Sequence, residues 1–240
     1  MSVLYLVRHG QASFLSDDYD RLSDVGIQQS KLLGKHWQSR GLVLTHCFSG
    51  SLQRQRHTAE AVGSAYDEAG DGFPELNIIE GLNEYPADEM MALLVPAMRA
   101  TDRDIAVNAE AFENAKTDQD RYRYVHRLLE AVMRVWVRGD YDQDKIDLPT
   151  WSAFSGGVRQ SLQTILQNAP SRSAVAVFTS GGPIGIAVQT ILESPELKAA
   201  ELNWRVHNAS VSSVTFSGLR MSLDSFNSVE HLPLDMRTYR

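Results

Sequence analysis

Short apolar segments rich in β-branched residues alternate along this chain with segments of helical periodicity, and this alternation constrains the fold more than any other feature. Such an order is typical of an α/β protein in which helices cover both faces of a mostly parallel sheet. The sequence therefore predicts a three-layer α/β/α arrangement. The predicted strands are residues 3–7, 45–48, 76–79 and 174–178, with a closing pair at 211–216 and 220–226.

Helical periodicity follows several of these strands. One predicted helix covers residues 25–39 with Ser23 as its N-cap, and a second covers residues 52–69 before the glycines at 70 and 72. A third helix is predicted to begin at Pro183, because proline is tolerated in the first turn. Residues 88–147 are helical throughout and show no strand pattern, so we interpret them as a helical insertion near the active site, within one domain of residues 1–240.

Composition excludes several classes of protein. The chain carries 23 Lys and Arg against 30 Asp and Glu, a net charge of −7, without a block of basic residues. Nucleic acids and anionic membranes attract concentrated positive charge, so we expect neither as a partner. The single cysteine, Cys47, excludes an internal disulfide, and neither a signal peptide nor a spanning apolar run is recognisable. We expect a soluble, cytoplasmic protein, and the sequence leaves its oligomeric state open.

Charged residues stand at the ends of the predicted strands, where open α/β sheets bind their ligands. Arg8, His9 and Gly10 follow the first strand, Arg54 lies in the first turn after the second, and Glu84 follows the third. An arginine beside a histidine is costly to bury unless an anion joins them. Taken singly, each residue also has an ordinary structural explanation. His9 fits a hydrogen-bonded core histidine, Arg54 fits a solvated basic turn, and Glu84 fits a surface carboxylate.

The order of these elements resembles the histidine phosphatase superfamily, branch 1, which includes the cofactor-dependent phosphoglycerate mutases. The resemblance covers nearly the whole chain. Its first element is an apolar strand running into Arg8-His9-Gly10, and its second is Leu22-Ser23 with Gly26 and Gln29. Two further elements follow in order, one of Leu52, Arg54, Thr58 and Ala59 and one of Leu82 and Glu84. The closing strands around residues 208–210 and 226–232 also fit the family.

The resemblance implies a mechanism. His9 would be the nucleophile that forms a phosphohistidine, and Arg8 and Arg54 would bind the phosphoryl group. Glu84 would donate a proton to the leaving group and then act as base toward water. Neither a metal nor another cofactor is implied, and the expected partner is a small phosphorylated substrate.

One element departs from the family pattern. Where the family has Thr/Ser-His-Gly-Gly after the fourth strand, this chain has Thr179-Ser180-Gly181-Gly182, so Ser180 stands at the place of the second catalytic histidine. A serine donates only a neutral hydrogen bond to phosphate, and losing one charged donor costs on the order of 3 kcal/mol of transition-state stabilisation. His207 and His57 are alternative residues that would fill this gap.

We therefore expect a phosphomonoester hydrolase with reduced activity. The alternative is a catalytically weak or inactive protein that binds phosphate or a partner on the same scaffold. A mutase fits less well, because residues 85–89 are apolar and acidic rather than basic. Further residues expected to line the pocket, besides His207, are Gln11, Ser13, Phe14, Tyr85 and Gly181, whereas Trp136, Trp151 and Cys47 are expected in the core.

Overall fold

Six strands form one sheet within residues 1–12 and 20–239, which are the residues that the computed structural model describes. They are β1 (Ser2–Arg8), β2 (His46–Ser49), β3 (Leu76–Ile78), β4 (Ala174–Thr179), β5 (Val211–Ser217) and β6 (Arg220–Ser228). Their order in the sheet is β3-β2-β4-β1-β5-β6. The pairs β3·β2, β2·β4 and β4·β1 are parallel, whereas β1·β5 and β5·β6 are antiparallel. The predicted α/β class with a mostly parallel sheet is confirmed.

Eight α-helices accompany the sheet in the described part of the chain. They are α1 (Asp24–Ser39), α2 (Gln53–Ala69), α3 (Ala87–Met98), α4 (Arg103–Glu113), α5 (Asp118–Arg138), α6 (Trp151–Asn168), α7 (Gly181–Ile191) and α8 (Leu197–Asn203). The predicted N-cap of α1 is correct, since Ser23 Oγ accepts from the N–H of Gly26 at 3.1 Å. Helices α6 and α8 were not predicted from the sequence.

The chain forms two compact units, one of residues 1–84 and 157–240 and the other of residues 85–156. In the first unit, α1 and α2 pack on one face of the sheet. Their shared core is apolar and includes Val7, Leu33, Trp37, Cys47, Val62, Tyr66, Ala176 and Phe178. Side chains of a strand alternate between faces, so the buried Leu4, Leu6, Val175 and Val177 point to the other face, which α7 covers.

The second unit is helical and is built around aromatic side chains. Trp136 on α5 is fully buried and lies 5.3 Å from Trp151 and 5.6 Å from Phe154, measured between ring centroids. Its indole N–H donates to the carbonyl of Pro149 at 2.7 Å. The expectation that both tryptophans are core residues is confirmed. The single-domain interpretation with residues 88–147 as an insertion stays a prediction.

Two further expectations concern the burial of Cys47 and the length and apolar character of the helices. Cys47 is fully buried on β2, and this burial raises the pKa of its thiol to about 12, so it behaves as a small apolar core residue. No helix of the described residues has both the length and the apolar character needed to cross a bilayer.

His231, after β6, is a histidine held in its neutral form by its surroundings. The pKa of His231 is lowered to about 4, mainly by burial and also by the charges of His36 and Arg237, although a backbone hydrogen bond with Ala209 acts in the opposite direction. The rings of His231 and His36 lie 6.1 Å apart. Because the folded pKa lies below the ordinary value of about 6.5, the unfolded chain binds this proton more readily.

We expect His231 to make the protein acid-sensitive. Its contribution is fully present above about pH 6.5 and is lost as the pH falls toward about 4, at a cost on the order of 3 kcal/mol. Urea denaturation of the wild type and of His231→Gln between pH 7.5 and 4 measures this effect. The variant should lose less free energy of unfolding over this range, and parallel curves for the two proteins would contradict the assignment.

Candidate functional site

The predicted site residues Arg8 and His9 lie at the carboxyl end of β1, between β4 and β5. The N–H of His9 donates to the carbonyl of Thr179 at 2.9 Å, and the carbonyl of His9 accepts from the N–H of Ala209 at 3.1 Å. Arg8 and His9 are only 7% and 5% exposed. The strand end is thus held on both sides, and it presents the imidazole from a fixed backbone.

The imidazole of His9 is fixed in one tautomer. Its Nδ1 lies 2.7 Å from the carbonyl oxygen of Gly10. Since a carbonyl oxygen can only accept a hydrogen bond, Nδ1 carries the proton in the neutral ring, and the lone pair is on Nε2. A neutral imidazole oriented in this way has the electronic form of a nucleophile.

Gly10 is the point at which β1 meets both α1 and α2. A Cβ at Gly10 would lie 2.4 Å from the carbonyl oxygen of Gly26 on α1, so no larger residue fits there without a shift of backbone. Its N–H donates to Thr58 Oγ1 at 3.0 Å, and the same hydroxyl donates to the carbonyl of Arg54 at 2.7 Å. Thr58 therefore joins the first turn of α2 to the residue after His9.

Gln11 lies where the chain leaves β1, and the first turns of α1 hold it. Its N–H donates to Gln29 Oε1 at 2.9 Å, and its side-chain Oε1 accepts from Ser23 Oγ at 3.0 Å. Gln29 is fully buried, and its Nε2 donates to the carbonyl of Met236 at 2.7 Å and to Thr238 Oγ1 at 2.9 Å. Ser23 and Gln29 thus fix the backbone that follows His9.

Arg54 pairs with a carboxylate that the sequence analysis did not identify. Its Nη1 lies 2.7 Å from Asp20 Oδ1, and Asp20 Oδ2 accepts from the N–H of Gln53 at 2.7 Å. The N-cap of α2, Leu52, offers no side-chain cap, so Asp20 supplies that function from a distant part of the chain. Asp20 has no motif spacing in the sequence that would have revealed this role.

Arg8 is anchored to the C-terminal part of the chain. Its Nη1 donates to the carbonyl of Val206 and, at 2.7 Å, to the carbonyl of Tyr239. The ring of Tyr239 stacks on His207 with centroids 3.9 Å apart. These contacts orient the plane of the guanidinium group.

The carboxylate of Glu84 lies beside the first turn of α7. Its two carboxylate oxygens lie 3.1 and 3.2 Å from the N–H of Gly182, in the first turn of that helix. The positive end of the helix dipole favours a carboxylate in this position. The segment before Glu84 is fixed through Asn83, whose side chain accepts from the N–H of Ser51 at 2.7 Å and donates to Ser51 Oγ at 2.8 Å.

The side chain of Ser180, the N-cap residue of α7, is turned to another buried side chain. It is 0% exposed, makes no hydrogen bond to its own helix, and its Oγ accepts from Gln55 Nε2 at 2.8 Å. No motif in the sequence indicates a role for Gln55. A direct contact of Ser180 with phosphate stays a prediction.

His207, predicted as an alternative to Ser180, is hydrogen-bonded on the approach to β5. Its N–H donates to Asn227 Oδ1 at 2.7 Å, and its ring Nδ1 lies 3.3 Å from the same oxygen. Burial lowers the pKa of His207, the hydrogen bond with Asn227 raises it, and the charges of Arg237, Arg8 and Arg205 lower it. The net shift is downward, which favours the neutral form of His207.

The comparison with protein families decides the membership of this chain. The model of the histidine phosphatase superfamily (branch 1) matches residues 4–135 and 110–229. The chain belongs to the histidine phosphatase superfamily. No curated protein matches it significantly in sequence.

Solved structures with the same fold include phosphatases and a mutase. A phosphoserine phosphatase from Entamoeba histolytica, in complex with 3-phosphoglyceric acid, superposes with a TM-score of 0.61 at 18% identity, covering 97% of this chain and 100% of its own. A phosphoglycerate mutase from Bacillus anthracis gives 0.65 at 16% identity, covering 96% and 94%. A mycobacterial glucosyl-3-phosphoglycerate phosphatase gives 0.56 at 16%, covering 94% and 98%. At these identities the likeness concerns the fold.

The remaining residues predicted to line the pocket of this histidine phosphatase superfamily member, and His57, the other predicted alternative to Ser180, have varied surroundings. Gly181 begins α7, and a Cβ there would lie 2.2 Å from Asn203 Oδ1. Tyr85 is 5% exposed and packs on Trp136 and Phe154 of the second unit. His57 lies on α2 and is half-buried. Ser13 and Phe14 lie outside the described residues.

A cavity of about 610 Å³ in the first unit lies away from this site. It is lined by Met1, Arg159, Phe216 and Arg220, among others. Met1 directly precedes β1, and Arg8 is the last residue of that strand. At 3.3 Å per residue the two lie roughly 20 Å apart. Among the described residues, no three His, Cys, Asp or Glu side chains are grouped so that they would hold a metal ion. Metal independence stays a prediction.

We expect Ser180→His to overpack the space that Gln55 occupies, because both side chains are fully buried and in contact. The cost should be about 1–3 kcal/mol of unfolding free energy. Gln55→Ala removes about as many heavy atoms as the histidine adds, so the double variant should be more stable than the sum of the two single changes predicts. Urea denaturation of all four proteins tests this expectation, and additive losses would show that the two side chains do not share one space.

Proposed function

We propose that this histidine phosphatase superfamily member hydrolyses phosphomonoesters of a small substrate through a phosphohistidine on His9. The observation that carries the proposal is the hydrogen bond between His9 Nδ1 and the Gly10 carbonyl at 2.7 Å. In the neutral ring this bond puts the proton on Nδ1 and the lone pair on Nε2, which is the nitrogen that attacks phosphorus.

The reaction takes place in two displacement steps. In the first, a bond forms between His9 Nε2 and phosphorus while the phosphorus–oxygen bond to the leaving group breaks, and the departing oxygen takes a proton from Glu84. In the second, water attacks phosphorus, Glu84 accepts the proton of that water, and the phosphorus–nitrogen bond breaks to release inorganic phosphate. Splitting one displacement into two lowers the highest barrier.

The two arginines are suited to the charge of the transferred group. Phosphoryl transfer depends mainly on positioning and on neutralising the equatorial oxygens, and a planar guanidinium matches these oxygens in a bidentate manner. Arg8 adjoins His9 in the chain, and Thr58 connects the Arg54 backbone to Gly10. Their surroundings orient both side chains, through the carbonyls of Val206 and Tyr239 for Arg8 and through Asp20 for Arg54.

Glu84 is suited to proton transfer by its position in the fold. Its carboxylate is held at the first turn of α7, next to the end of β4, and β4 pairs with β1 at Arg8 and Thr179. The Glu84 and His9 segments thus adjoin through paired strands at one edge of the sheet. Water attack in the second step returns a proton to Glu84, so the carboxyl group begins the next first step protonated, and the helix N-terminus stabilises the carboxylate that forms when this proton is given to the leaving oxygen.

The fold is shared by phosphatases and by a phosphoglycerate mutase, so it is compatible with either reaction class. Small phosphorylated molecules figure among the ligands of these neighbours, such as the 3-phosphoglyceric acid bound to the phosphoserine phosphatase. Hydrolysis is favoured here because residues 85–89, directly after Glu84, bring an apolar and acidic stretch rather than the basic residues that a second phosphate group requires.

We expect His9→Ala to lower the turnover of phosphomonoesters by at least about a thousandfold, because the nucleophile is lost. His46→Ala is a matched control, since His46 begins β2 at the opposite end of that strand from Ser49. The assay is phosphate release from a panel of phosphomonoesters, together with trapping of acid-labile phosphohistidine during turnover.

Retention of wild-type turnover in His9→Ala would refute the proposal. If the wild type forms no phosphohistidine and releases no phosphate from any ester, yet binds inorganic phosphate in a calorimetric titration, the alternative of a phosphate-binding protein on this scaffold is correct. Transfer of the phosphoryl group to a second hydroxyl of the substrate, rather than to water, would indicate a mutase.

A further inference from the structure

Gln55 on α2 places a fully buried amide next to the proposed catalytic residues. Its Nε2 donates one hydrogen bond to Ser180 Oγ at 2.8 Å and another to the carbonyl of Leu82 at 3.1 Å. Because a backbone carbonyl only accepts, the orientation of the amide is settled by Leu82, and both amide hydrogens are used. The side chain therefore joins α2 to the segment before Glu84 and to the turn before α7.

These contacts close a ring of hydrogen bonds around Glu84. From Leu82 the chain runs through Asn83 to Glu84, whose carboxylate accepts from the N–H of Gly182. From Gly182 it runs back through Gly181 to Ser180, which accepts from Gln55. The Leu82 carbonyl also accepts from Thr179 Oγ1 at 2.6 Å, so its two lone pairs are occupied and it cannot rotate freely.

The glutamine at position 55 carries a cost in stability. Its Oε1 is buried and has no hydrogen-bond partner among the described residues. A buried acceptor without a partner costs about 1–3 kcal/mol, and an apolar side chain of the same length would avoid this cost. Buried polar groups that break the ordinary rules of packing are concentrated at functional sites.

We propose that Gln55, anchored on Ser180, is a positioning residue that holds the Glu84 carboxylate in line with the leaving-group oxygen through this ring of hydrogen bonds. The proposal rests on the hydrolase function proposed above. Glu84 transfers its proton to the leaving oxygen as the phosphorus–oxygen bond breaks, so a misplaced carboxylate slows the first step. Ser180 then serves chiefly to hold Gln55.

The leaving group provides a readout that a purely structural role would not affect. An alkoxide needs a proton as it departs, whereas p-nitrophenolate is stable without one, so only the alkyl ester depends strongly on Glu84. Gln55→Met removes both hydrogen bonds and keeps the length of the side chain. We expect it to lower kcat for β-glycerophosphate about tenfold more than kcat for p-nitrophenyl phosphate, with little change in KM for either.

Gln189→Met is the matched control. Gln189 is also a buried glutamine, but it lies near the C-terminal end of α7, where its side chain contacts Ser194 and Arg159. In this variant the ratio of the two kcat values should stay within about twofold of the wild type. A ratio that falls equally in both variants would attribute the effect to general loss of packing and overturn the proposal.

Ser180→Ala removes the anchor from the other side and protects the test against a Gln55 variant that fails to fold. It should shift the same ratio in the same direction, and the double variant Gln55→Met/Ser180→Ala should shift it no further than Gln55→Met. Equal losses on both esters, or an unchanged ratio in Ser180→Ala, would overturn the positioning role. In each of those cases His9→Ala still abolishes turnover of both esters if the hydrolase function is correct, so the two failures are distinguishable.

Discussion

The contact of β1 with α1 and α2 at Gly10 is the constraint on which the rest of the site depends. Gly26 leaves no room for a side chain there, and Thr58 accepts from the Gly10 N–H while it donates to the carbonyl of Arg54. The carbonyl of the same Gly10 accepts a hydrogen bond from His9 Nδ1. One backbone position thus sets the approach of two helices, the tautomer of the histidine and the start of the helix that carries Arg54.

Much of the fold follows from local sequence patterns. The strand of residues 3–7, the helix after Ser23 and the closing strand pair at 211–216 and 220–226 are specified by neighbours along the chain, and the structure agrees with them to within one or two residues. α6 was missed because its glycine pair, Gly156-Gly157, weakens the helical pattern, and α8 because seven residues give barely two turns. Both helices depend on tertiary packing, which no local window contains.

The site likewise contains residues that sequence patterns indicate and partners that only the fold brings to them. Arg8, His9, Arg54 and Glu84 stand out in the sequence because each follows a strand, and the sheet brings the ends of parallel strands to one edge. Their partners could not be identified. Asp20 reaches Arg54 across 34 residues, and Tyr239 reaches Arg8 across 231. Gln55 stands beside Arg54 in the chain, yet its role depends on Leu82 and Ser180, which belong to other segments. Such pairings are set by the three-dimensional fold and produce no periodic pattern in the sequence.

Under the proposed function, an anion that binds Arg54 has to replace the carboxylate of Asp20. The carboxylate of Asp20 bonds both to the guanidinium and to the N–H of Gln53 at the start of α2, which are the donors that an incoming anion seeks. If Arg54 binds the phosphoryl group as proposed, that group must displace a carboxylate of single charge, so only the difference between the two interactions would contribute to affinity. A monovalent anion such as chloride or acetate would then gain almost nothing, whereas a doubly charged phosphoryl group would gain a full extra charge. Under the proposed function, Asp20 would therefore favour doubly charged anions over weakly charged ones.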